Sequence, residues 1–122
     1  MKNIFYFYHG GFRGPSIEIM YKKNNFEISF MNQGHLVTHY IKQPSEIKWD
    51  KFFLFLDDIK IWEWKKEYID PNILDGTQWE IKISNSYKKI KSYGSNKFPN
   101  KKKFNDLMNE IETLFNLKEL KR

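Results

Sequence analysis

Cysteine is absent from this 122-residue chain, so it has no disulfide framework, no thiolate nucleophile and no cysteine-based metal site. Alanine is absent too, and Val37 is the only valine, while Lys, Asn, Ile and Phe are abundant. An AT-rich coding sequence produces that bias, which weakens any argument from the number of lysines alone. No run of about 18 apolar residues occurs, which excludes a spanning helix. The apolar stretch at the amino terminus is cut off by His9-Gly10-Gly11 well short of signal-peptide length, so the expected address is cytoplasmic. No internal repeat, low-complexity tail or interdomain linker is present.

Aromatic residues are plentiful: 11 Phe, 7 Tyr and 4 Trp make up 18% of the chain. Such rings bury large apolar areas, and a chain of this length suits one domain with a sizeable core, spanning 1–122. Asn3 to His9 is β-rich, Gly10 to Pro15 supplies turn residues, and Ser16 to Lys23 alternates with Ile17, Ile19 and Tyr21 on one side. Asn24-Asn25 is the expected two-residue turn into a third strand carrying Phe26, Ile28 and Phe30, and Leu36 to Ile41 is a fourth.

Pro44-Ser45-Glu46 opens a helix with Ser45 as N-cap, and Phe52, Phe55, Leu56 and Ile59 follow its 3.6 period, so a helix is expected over 46–58. The stretch from Ile59 to Lys65 alternates and reads as an extended connection or a short strand. Trp79, Ile81 and Ile83 alternate with Gln78, Glu80 and Lys82 in a fifth strand, and Tyr87 to Tyr93 is a sixth. Phe104, Leu107, Met108, Ile111, Leu114 and Phe115 are spaced three and four apart, giving a last helix over about 101–116. The expected fold is α+β, an antiparallel sheet in the order β-β-β-β-α-β-β-α with two helices packed on one face.

Between Tyr87 and Lys103 stand seven lysines, Lys88, Lys89, Lys91, Lys97, Lys101, Lys102 and Lys103, and no carboxylate. Without those seven, 14 basic residues face 15 acidic ones, so the formal charge of +6 belongs to this segment. It suits nucleic acid, an acidic protein partner or plain solubility. Lys101, Lys102 and Lys103 begin the last helix, at the dipole end where cations are least favoured and where anions are attracted. Arg13, in the glycine-rich turn, is able to grip a carboxylate or phosphate in bidentate fashion. Trp62, Trp64 and Tyr68, interleaved with lysines, form a candidate aromatic surface for stacking bases, although alternation of this kind is also how strands fill a core.

For catalysis the supply is thin. His9, His35 and His39 fall in the β-rich third with no helical His-x-x-x-His pair and no carboxylate at a ligand spacing, so no metal and no cofactor are expected. Neither Ser16 nor Ser95 lies in a Gly-x-Ser-x-Gly elbow. The pattern Trp62-x-Trp64, Tyr68, Asp75-Gly76-Thr77-Gln78-Trp79 and Gly94-x-Asn96-x-x-Pro99, with the glycine-rich turn at Gly10-Gly11, resembles a group of small bacterial proteins of uncharacterised activity. That resemblance covers most of the chain and implies no particular chemistry. The expected function is a small non-catalytic protein that recognises a protein partner, in the manner of an inhibitor, immunity protein or antitoxin. Nucleic-acid binding through residues 87–103 is the alternative, and an enzyme or binder for a small anionic ligand held by Arg13 and the lysines comes third.

Overall fold

The computed structural model describes residues 4–11, 14–72 and 76–117. Four strands follow one another as a meander: β1 (Ile4–Gly11), β2 (Pro15–Lys22), β3 (Asn25–Asn32) and β4 (His35–Lys42). Next come α1 (Glu46–Asp58), a single 3-10 turn (Ile61–Glu63), β5 (Glu67–Ile69), β6 (Thr77–Ser84), β7 (Lys89–Ser95) and α2 (Lys101–Phe115). All seven strands join one sheet in the order β4-β3-β2-β1-β6-β7-β5. The amino-terminal strand therefore lies at the middle of the sheet, and β6 returns to pair with it from Ile4↔Ser84 to Gly11↔Thr77.

The turns explain the meander. Lys23 and Asn24 both have positive φ, 51° and 67°, as do Gln33 and Gly34, 52° and 81°, and two such residues in succession give the tight turn whose twist matches a hairpin. The first turn falls one residue earlier than the Asn24-Asn25 expected, because Lys22 pairs directly with Asn25.

The sheet is not the expected antiparallel arrangement of six strands: it has seven and is mixed, because the short β5 joins it parallel to β7. The stretch from Ile59 does not extend. Lys60 takes a left-handed conformation (φ 54°) and the chain turns tightly, since Ile59 and Ile61 must both reach the core. Beyond it, the open edge of β7 captures the backbone: the Tyr93 N–H donates to the Lys66 carbonyl at 3.0 Å and the Asp70 N–H to the Ser95 carbonyl at 3.0 Å. The Ser92 hydroxyl donates to the Lys65 carbonyl as well. β7 begins at Lys89 and not Tyr87, because the Asn85 side chain accepts from the N–H groups of Tyr87 and Lys88, each at 2.8 Å, and holds those residues in a turn.

The helix ends are those the sequence signals demand. Ser45 Oγ accepts from Lys48 N–H at 3.3 Å, and Asn100 Oδ1 accepts from Lys103 N–H at 3.0 Å. Asn116, left-handed at φ 55°, stops α2. One core lies beneath both helices. Phe5 of β1 meets Phe52 of α1 and Phe115 of α2, each at 5.9 Å between ring centroids, so both helices press on the face that carries Phe5, Phe7, Ile17, Ile19, Phe26, Ile28, Ile81 and Ile83.

Candidate functional site

Alternation sends the other set of side chains to the opposite face of the sheet, and the register arranges them in rows across the strands. One row runs Glu67, Tyr93, Glu80, Tyr8, Glu18, Ser29 and His39, from β5 to β4. The row beside it runs Lys91, Lys82, Tyr6, Met20, Glu27 and Ile41. Neighbouring strands are about 4.8 Å apart, so Glu67, Glu80 and Glu18 recur about every 10 Å with a tyrosine between each pair.

These side chains hold one another. Tyr6 donates from its hydroxyl to Glu18 Oε2 at 2.9 Å, and Lys82 Nζ sits 5.4 Å from the centre of the Tyr6 ring and 3.5 Å from Glu80. His39 Nε2 lies 3.6 Å from Glu27. Burial pushes the Tyr6 phenol well above the ordinary tyrosine range, and the hydrogen bond to Glu18 and its charge add to the shift. Tyr93 is raised as well, first by its hydrogen bond to Glu67. Both phenols thus stay protonated at neutral pH and hydrogen-bond to the carboxylates of Glu18 and Glu67.

The lysine segment is divided by the fold. Lys88 is drawn to the end of α1, 3.1 Å from Asp57 Oδ1. The Asp57 carboxyl is held below its usual range, first by the Trp62 indole that donates to it at 2.7 Å and then by Lys88. Lys89 and Lys91 project from the open face of β7. Lys97, Lys101, Lys102 and Lys103 lie past the far end of that strand, about 20 Å away at 3.3 Å per residue. Lys102 is paired with Asp106 at 3.0 Å. Arg13 lies outside the described residues.

Trp62, Trp64 and Tyr68 are half-buried and packed against the core. Trp62 stacks on Phe53 at 6.3 Å, and Trp64 stacks on Phe104 at 6.4 Å with its edge toward Trp79. Tyr68 lies 5.9 Å from Trp79 and accepts from Lys65 N–H at 2.9 Å. Trp79 is the hub: 1% exposed, its indole donates to the Lys97 carbonyl at 2.9 Å. Gly94 lets this happen, since a methyl group there would collide with the Trp79 indole and the Lys97 carbonyl. Gly76 makes the same allowance for the Asn96 side chain. Trp64, Tyr68 and Gly94 of the pattern thus meet around the Trp79 ring, whereas Trp62 packs on Phe53 of α1.

Among the described residues, no three His, Asp or Glu side chains gather in a group that would hold a metal. A depression of about 170 Å³ beside the start of α1 is lined by Lys42, Lys48, Phe115 and Asn116, smaller than the few hundred Å³ a typical ligand pocket needs.

Tyr6, Tyr8, Tyr93, Glu18 and Glu80 are not among the residues singled out from the sequence. The available signal was Phe5-Tyr6-Phe7-Tyr8, in which the hydroxylated ring is always on the side opposite the phenylalanine. Compared with known proteins, the chain matches no protein-family model and no curated protein.

Proposed function

We propose that this chain is a small non-catalytic binding protein, and that it recognises a protein partner through the open face of its sheet. The observation that carries this reading is the row Glu67-Tyr93-Glu80-Tyr8-Glu18, beside Lys82 and Lys91, on a face opposite both helices. Tyrosine brings large contact area with little conformational freedom to lose, and it is enriched where proteins meet. Charges of both signs in fixed adjacent rows supply register and selectivity. The hydrogen bonds among these side chains hold the surface in one arrangement before a partner arrives, which lowers the cost of binding.

A photoreactive phenylalanine analogue placed at Tyr8 in the native host tests this directly. The expected product is one protein adduct of defined mass, lost when Tyr93→Glu is combined with the label and absent when the label is moved to Asp50 of α1, away from the open face. Equal labelling from Asp50 overturns the reading. A second reading, nucleic-acid binding, draws on Lys97, Lys101 and Lys103, which among the described residues have no carboxylate within 4.0 Å. In that case the adduct is nuclease-sensitive and disappears when Lys101, Lys102 and Lys103 are changed to Glu.

A further inference from the structure

Taking the open face as the binding surface, on which this inference rests, we propose that its partner is a second copy of this chain, stacked sheet on sheet about a two-fold axis. The axis crosses the strands between the row of Glu80, Tyr8 and Glu18 and the row of Lys82, Tyr6 and Met20. In that position it exchanges the two rows, so each residue meets the one two places along on the same strand of the other copy. Glu80 meets Lys82 of the other copy, and Lys82 meets its Glu80. Tyr8 meets Tyr6, Glu18 meets Met20 and Ser29 meets Glu27, so no charge faces its like. An axis along the strands lacks this property. Placed on β1 it sets Glu80 over Glu18, on β6 it sets Glu80 over itself, and between the two it sets Glu80 and Lys82 over tyrosines. Stacked sheets cross at about 30°, so the correspondence is closest on β1 and β6, at the centre, and loosens outward.

The apolar side chains of the face favour a partner as broad as the sheet itself. Ile4, Ile41 and Ile69 are 52%, 62% and 44% exposed, and all three stand on this side, opposite Ser84, Glu27 and Ser95 of the neighbouring strands. They lie toward three different borders, and a single helix about 10 Å wide covers no more than two or three strands at about 4.8 Å each. A second sheet reaches all of them. Seven strands, most of them eight residues long, make a face of about 29 Å by about 27 Å, close to the ~800 Å² per partner of a standard interface.

Sedimentation equilibrium on the full chain is expected to show a species of twice 14.9 kDa, and the photo-adduct formed from Tyr8 is expected to have that mass. Glu80→Lys sets lysine against lysine at two places across the axis and should weaken self-association by about tenfold or more; Lys82→Glu should do the same with carboxylates. Each variant also loses the 3.5 Å contact between these two residues within its own chain. Mixing the two variants separates the effects. Across the axis the mixture restores lysine against glutamate at both places, while the contact within each chain stays broken, so a mixed dimer should form with close to native affinity. If either variant fails to fold, the mass of the Tyr8 adduct decides. A chain that stays monomeric at millimolar concentration overturns the proposal, as does a dimer that survives both single substitutions or a mixture that fails to pair. A Tyr8 adduct with a different protein removes the second copy and keeps the open face as the binding surface, whereas equal labelling from Tyr8 and Asp50 removes the surface itself.

Discussion

At the scale of single residues, Gly94 shows how a position without a side chain directs several that have one. Its missing Cβ is the space that the Trp79 indole and the Lys97 carbonyl occupy, and the hydrogen bond between those two ties β6 to the loop before α2. Gly94→Ala forces apart a buried ring and a backbone carbonyl, neither of which is the free end of a flexible side chain. Overpacking of this kind typically costs about 1–3 kcal/mol, so a shift of the urea midpoint to lower concentration with unchanged slope is expected, together with altered tryptophan fluorescence. Unchanged stability would show that the loop moves aside freely.

At the scale of elements, β5 and α1 illustrate what a sequence declares and what it withholds. α1 was legible to the residue because its signals are local: Pro44 cannot lie inside it, Ser45 caps it and Glu46 suits its dipole. β5 was not legible, because three residues carry no period and their strand conformation comes from the open edge of β7, more than twenty residues downstream. The rows of the open face were hidden for a related reason. The alternation in β1 and in β6 can be read separately, but that Tyr8 stands beside Glu80 depends on β6 returning to β1 past β2, β3, β4, α1 and β5. The lysines misled in the opposite sense: contiguous in sequence, they are sent to both ends of β7. A measurement follows for β5. Held by a few hydrogen bonds at an edge, with Glu67 and Ile69 exposed, its amides should exchange with solvent well before those of β1 and β6, which are paired on both sides. Simultaneous exchange of β5 and β1 would make the two one cooperative unit.

At the scale of the whole molecule, stability should respond to pH through His9. Its ring points from the core face of β1 toward α2, lying parallel to Phe7 at 6.5 Å and 5.9 Å from Phe104. Burial there disfavours the imidazolium and lowers its pKa below the ordinary value of 6.5. Below about pH 6.5 the unfolded chain therefore binds a proton that the folded chain resists. The contribution is complete above that pH and is lost as pH falls toward the depressed folded value. Denaturant titrations at a series of pH values should show stability beginning to decline below about 6.5, before the carboxylates titrate, and His9→Gln should flatten that part of the curve. An unaltered profile in the variant would assign the decline to other groups.

The central position of β1 has a consequence for synthesis. A strand rich in Phe and Tyr leaves the ribosome early and acquires β2 as its neighbour almost at once, but its second neighbour, β6, is made only after the whole meander, α1 and β5. At about 5–20 residues per second, the nascent chain holds the β6-facing edge of that strand open for several seconds. During that interval the middle of the finished sheet is its most adhesive margin, and translation speed through α1 and β5 sets how long a chaperone must shield it.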